Sequence, residues 1–223
     1  MRTLVIALAF VSGILGAQGP IEKTVGEFKE LKAYDLIEVQ LIKSIENKVS
    51  ITGRNAKDVV IVNKNGVLKI RMNIEESFDG NKTKVTLYYT HVDILDANEG
   101  AYIYSDDPIE QFDLEVKAQE GGIVQAKVKT SILEVKATTG GSIELKGNSK
   151  KQKATLNTGG IYKAEHLITE QTEVSIMAAG EAYVNASKQV DAKIRVGGDV
   201  YVYGDPDIIN ENTALGGRVK RMN

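Results

Sequence analysis

An all-β fold, a single-stranded right-handed β-helix or solenoid of about 19-residue coils, is predicted by three features of the chain. The first is a repeat. LEVKAQEGG (114–122) returns as LEVKATTGG (133–141), followed by ATLNTGG (154–160), VSIMAAG (174–180), AKIRVGG (192–198) and NTALGG (212–217). The closing glycines are Gly122, Gly141, Gly160, Gly180, Gly198 and Gly217, with gaps of 19, 19, 20, 18 and 19 residues, and Gly100 is taken as an earlier, less regular member. The second is parity. Six and four residues before each closing glycine stand Val116/Ala118, Val135/Ala137, Ala154/Leu156, Val174/Ile176 and Ala192/Ile194, and the intervening residues are polar. Two and four residues after it stand Val124/Ala126, Ile143/Leu145, Tyr162/Ala164, Ala182/Val184 and Val200/Val202. Period-two alternation on both sides of a turn means two strands, each with one buried face. The third is composition. The chain has 21 glycines and 3 prolines, so it can turn often while keeping its ladder donors.

One such unit cannot bury its apolar face alone. Stacking equivalent strands in parallel makes one continuous core, and the right-handed course follows the usual crossover preference. Each unit is read as strand, glycine turn, strand and polar return.

The elements follow in order. Residues 1–17 read as a signal peptide: Arg2, then an apolar run from Leu4 to Leu15, then Gly16-Ala17 as a small-residue cleavage site, leaving Gln18 first. The run falls short of the roughly 20 residues a membrane span needs. Residues 18–98 form an N-terminal β-strand region continuous with the solenoid and capping it. Its strands are 35–42, 48–52, 58–62, 67–72 and 84–90, with Asn65-Gly66 as a hairpin turn and 73–84 as an exposed loop. Residues 99–223 are the solenoid repeats. Arg218, Lys220 and Arg221 load the last strand with charge, and Arg221 falls on an inward position, which suits a terminal coil.

The glycines Gly100, Gly122, Gly141, Gly160, Gly180, Gly198 and Gly217 are read as structural turn residues with positive φ. The residue before each need only be tolerant, since Glu99 and Ala179 also stand there. Phosphate cradling is set aside because no GxGxxG or P-loop spacing occurs.

The strand-rich N-terminal part, the Asn65-Gly66 hairpin and units such as ATTGGSIELKG (137–147), NTGGIYKAEHL (157–167) and VGGDVYVYGDP (196–206) resemble the "putative auto-transporter adhesin, head GIN domain" family. The resemblance covers roughly residues 22–220. It implies a β-helix-like fold and a cell-surface or envelope setting in an exported protein, and it carries no activity and no site residues.

Net charge is −2, with 28 basic and 30 acidic residues mixed along the chain, so no basic stripe marks a nucleic-acid partner. Cysteine is absent, which removes disulfides, thiol chemistry and cysteine metal sites. Glu115, Glu134, Glu173 and Asp191 share one outward row, and sugar hydrolysis uses carboxylate pairs on that length scale. The next outward row, however, holds Lys117, Lys136 and Lys193, which makes the face a solvated, charge-balanced one. His91, near Asp93 and Asp96, and His166, beside Glu165, lack the partners of a metal site. Asp106, Asp107, Asp205 and Asp207 are read as turn residues.

Tyr183 and Tyr201 take equivalent outward positions in adjacent coils with Tyr203 two residues on, the best binding candidate. Tyr102, Tyr104 and Tyr162 are assigned to the core. The reading is therefore a non-catalytic exported surface protein, an adhesin or binding scaffold, with no cofactor and no metal. Its partner is a protein or glycan at the cell surface, and homo-oligomers are left open. The alternative is a polysaccharide-acting β-helix enzyme, which rests on fold analogy.

Overall fold

The computed structural model describes residues 19–222; the signal segment 1–17 and its cleavage site lie outside the described residues. Among the described residues, seventeen strands join one continuous sheet. The N-terminal region supplies β1 (Ile21–Thr24), β2 (Glu30–Ala33), β3 (Glu38–Lys43), β4 (Lys48–Gly53), β5 (Val59–Lys64), β6 (Val67–Met72), β7 (Thr83–Tyr89) and β8 (Ile94–Ala97). The repeats supply β9 (Tyr102–Glu110), β10 (Asp113–Ala118), β11 (Ile123–Thr138), β12 (Ser142–Asn157), β13 (Gly160–Ile176), β14 (Gly180–Ile194), β15 (Asp199–Tyr203), β16 (Ile208–Thr213) and β17 (Arg218–Arg221).

The repeats stack in parallel as their period demands: Val116 lies beside Val135, then Ala154, Val174 and Ala192, all essentially inaccessible to solvent. The polar return is not a loop. β11 to β14 are strands of 15 to 17 residues that bend at a corner, so one strand serves both walls of the solenoid. Differences in coil length are absorbed near that corner. β13 carries its extra residue between Lys163 and Leu167, where the register to β12 shifts, and β9 bulges at Asp106-Asp107-Pro108.

The stack begins earlier than the glycine pairs. β2 and β3 form a coil in register with β8 and β9, pairing Ala33 with Ala97 and Glu38 with Tyr102. β6 and β7 lie below them in the same direction. This lowest coil is then covered by antiparallel strands of the same chain, β5 on β6 through the Asn65-Gly66 hairpin and β4 on β7, with β1 outside β4. Segment 25–29 crosses between the walls and sets Val25 and Phe28 into the end of the core. It is held where the Asn63 side chain donates to the carbonyls of Val25 and Glu27 at 2.7 and 2.8 Å.

The turn between the walls corrects the expectation for the glycines. Its two central residues both have positive φ: Asp35-Leu36 (59°, 61°), Glu99-Gly100 (51°, 71°), Glu120-Gly121 (53°, 75°), Thr139-Gly140 (48°, 71°) and Thr158-Gly159 (50°, 76°). Each is a tight left-handed turn of the hairpin type. Gly122, Gly141, Gly160, Gly180 and Gly217 follow the turn and are not left-handed; of the closing glycines only Gly198 is, at 118°. The constraint on most of them is close approach. A Cβ at Gly122, Gly141 or Gly160 would stand 2.1 to 2.2 Å from the carbonyl oxygen of the coil below. Gly100 belongs to the first position, because Ala101 aligns with Gly122. This one-residue shift turns Tyr102 and Tyr104 outward and buries Ile103, so those two tyrosines are not core residues.

Tyr162 is fully buried and its hydroxyl needs a partner. It donates to Gln152 Oε1 at 2.7 Å; Gln152 Nε2 donates to Thr172 Oγ1 at 2.8 Å, and Thr172 shares a 2.8 Å bond with Thr169. A polar network thus replaces apolar packing at the bend of the middle coils.

Candidate functional site

Strands β7, β3, β9, the first halves of β11 to β14, β15 and β17 build one broad wall. One outward column on it reads Tyr104, Gln125, Glu144, Lys163, Tyr183, Tyr201 and Lys220. The Tyr183 and Tyr201 rings stack with centroids 4.6 Å apart and planes 10° apart, as equivalent positions on adjacent rungs require. Lys220 Nζ lies 4.8 Å from the Tyr201 ring centroid, so the column ends in a cation–π contact.

The neighbouring column supplies acids. Tyr183 Oη donates to Glu181 Oε2 at 3.0 Å and Tyr201 Oη to Asp199 Oδ2 at 3.4 Å. Arg218 holds both Asp199 oxygens at 2.7 Å. Partial desolvation and the Glu181 carboxylate push the Tyr183 phenol up to about 12. The Arg218 guanidinium holds the Asp199 carboxyl below the usual carboxylate range. Tyr203 is two residues beyond Tyr201 on the same outward face, beside Asn185 of the rung below.

A second aromatic pair stands lower on this wall, at positions the glycine register assigns to the core. Tyr102 and Tyr104 stack at 5.1 Å. Tyr102 Oη donates to Gln125 Oε1 at 2.6 Å and Lys84 Nζ donates to Tyr104 Oη at 2.7 Å. Tyr104 and Tyr183 are four rungs apart on one column, about 19 Å at the usual strand spacing. The wall therefore carries two stacked tyrosine pairs separated by polar, charged rungs. In DANEGAYIY it is Ala101, not Gly100, that is equivalent to Gly122, and that register places both rings outward.

The opposite wall carries the acidic row. Glu115, Glu134, Lys153, Glu173 and Asp191 are successive register partners, and a shallow groove runs past Ile132, Glu134, Lys153 and Glu173. Lys136 and Lys117 reach Glu115 at 2.6 and 3.0 Å, and Lys153 reaches Glu173 at 4.0 Å. Partial burial works to raise the Glu115 carboxyl, but the bonds from Lys136 and Lys117 outweigh it and hold the group below its ordinary range. His91 pairs with Asp93 on the surface, while His166 sits exposed at the β13 bulge, far along the chain from it. Among the described residues no group of three or more His, Asp and Glu converges.

These lowered carboxyls make stability pH-dependent in a stated direction. A group depressed on folding stabilises the fold above its unfolded value, and that contribution disappears as pH falls through the folded value. The thermal midpoint should therefore drop on acidification below about pH 4, the unfolded carboxylate range. Glu115→Gln should flatten part of that slope in melts recorded across the acid range; an unchanged slope would mean Glu115 contributes nothing.

Fold and surface together define an elongated β-solenoid with flat, laddered walls. The chain belongs to the family described as "putative auto-transporter adhesin, head GIN domain", whose model matches residues 27–206. Its fold is shared with solved structures of low sequence identity. One is described as a "putative adhesin" of Bacteroides fragilis, with a TM-score of 0.84 at 18% identity over 91% of this chain and 96% of that one. Another "putative adhesin", from Parabacteroides merdae, has a TM-score of 0.69 at 17% identity over 92% and 95%. A "putative lipid binding protein" of Parabacteroides distasonis has a TM-score of 0.68 at 18% identity over 92% and 96%. No curated protein matches the sequence.

Proposed function

We propose that the protein is an exported, non-catalytic binding scaffold of the cell surface or envelope, and that its contact surface is the tyrosine-bearing wall. The observation that carries this reading is the ladder itself. Outward side chains on this wall are arranged in columns in which stacking, ion pairs and hydrogen bonds link neighbouring rungs. Catalysis needs an acid, base or nucleophile converging on one point. A flat wall with repeated stations instead suits weak contacts summed over several rungs, where avidity compensates for low single-site affinity. The family and the names of its structural relatives support an adhesive role.

The stacking narrows what the tyrosines can offer. The Tyr183 and Tyr201 rings cover one another and Lys220 lies against Tyr201, so much of the ring surface is already occupied. Ring edges and hydroxyls, with Glu181 beside them, are what a protein or glycan partner would meet, since Asp199 is buried and held by Arg218.

Replacing Tyr183, Tyr201 and Tyr203 together by Ser should reduce attachment of the protein to envelope material or a glycan surface by at least about tenfold, since buried aromatic contacts dominate such interfaces. Circular dichroism should show the β signal retained. Unchanged attachment by a folded triple variant would remove this patch from the contact surface.

A further inference from the structure

The two ends of the solenoid are treated differently. At the lower end β4 and β5 cover the edges of β7 and β6 as antiparallel strands, and Val25 and Phe28 fill the core. At the upper end, among the described residues, β17 pairs only with β15, and β16 only with β14. Their outer edges pair with no further strand among the described residues. A row of unpaired N–H and C=O groups is a template for another chain.

The inward positions of this last coil are unlike those below. Glu211 stands over Ala192 and Arg221 over Val202; the two lower residues are buried, whereas Glu211 and Arg221 are exposed, Arg221 within 3.5 Å of the fully solvated Asp205 carboxylate of its own chain. Ile209 and Val219, also at inward positions, are only partly covered. Here the acid lies on β16 and the base on β17.

We propose that this end is an isologous interface with a second copy of the chain, in which β16 of each copy pairs with β17 of the other. A two-fold axis perpendicular to the stacking direction reverses strand direction. It therefore supplies two antiparallel cover strands, the arrangement the chain makes for itself at the lower end. Of the two such axes that superpose the walls, one pairs β17 with β17 and sets Arg218, Lys220 and Arg221 against their own kind. The other sets the basic β17 over β16, brings Glu211 of one copy to Arg221 of its partner twice, and closes Ile209 and Val219 from water. Charge complementarity selects the second. In an antiparallel pair, opposite or diagonal positions are within reach of these long side chains. This surface is distinct from the tyrosine stations and stands or falls separately from them.

The test is sedimentation of the purified exported protein and three variants over a concentration series. The wild type should be dimeric. Glu211→Lys and Arg221→Glu should each weaken the dimer on the order of a hundredfold, because each opposes like charges in a desolvating contact. Combining the two substitutions should restore it. Circular dichroism melts control for folding of each variant. A monomeric wild type would overturn the proposal, as would a dimer insensitive to both single changes or a double variant no better than the singles.

Discussion

Gly141→Ala is expected to cost more than about 4 kcal/mol, in the range reserved for severe backbone or core disruption, while Gly140→Ala costs about 1–2 kcal/mol. The two glycines are adjacent but constrained by different physics. Gly140 has φ of 71° with open space where a Cβ would go, so alanine pays only the left-handed penalty. At Gly141 a Cβ would lie 2.1 Å from the Ala118 carbonyl oxygen and 2.4 Å from its carbon. Both are backbone atoms of the coil below, and that carbonyl cannot turn aside without loosening a rung. Urea unfolding midpoints of the two variants compare them directly. Equal costs, or a greater cost at Gly140, would mean that turn conformation rather than rung spacing selects glycine.

Tyr162→Phe is the second large effect. It keeps the ring in the core but leaves Gln152 Oε1 buried without its donor, at a cost of about 1–3 kcal/mol. Tyr162→Phe combined with Gln152→Leu should cost less than the sum of the singles, because the second change removes the orphaned acceptor while Thr172 retains Thr169. Strict additivity in a thermal or urea double-mutant cycle would show the Tyr162–Gln152 bond to be energetically idle.

The legible part of this fold is what repeats. Strand parity, coil length and the Asn65-Gly66 hairpin follow from local patterns, and burial of Val116, Ile143, Val174 and Val200 agrees with each. Three features escaped for identifiable reasons. The β2–β3 coil has the same left-handed turn as the others but builds it from Asp35-Leu36, so no glycine announces it. Positive φ and close backbone approach both select glycine, and a pair of glycines does not show which residue answers to which cause. Gly100 occupies the left-handed position and Ala101 the close-approach one, so a register set on Gly100 inverts the parity of Tyr102 and Tyr104. The network of Gln152, Thr169 and Thr172 read as a solvated return because inward polar residues look like loop residues until Tyr162 and their mutual bonds are seen. The Tyr183–Tyr201 stack was legible because rung-to-rung equivalence follows directly from the period.

The binding-scaffold account is tested most directly by incubating the purified protein with a panel of envelope and plant polysaccharides, measuring retention on each polymer and new reducing ends in the same samples. The account predicts retention on some surface or partner and no reducing ends above the protein-free control. New reducing ends that vanish when Glu134 or Glu115 is replaced by Gln would contradict it and make the acidic wall a catalytic one.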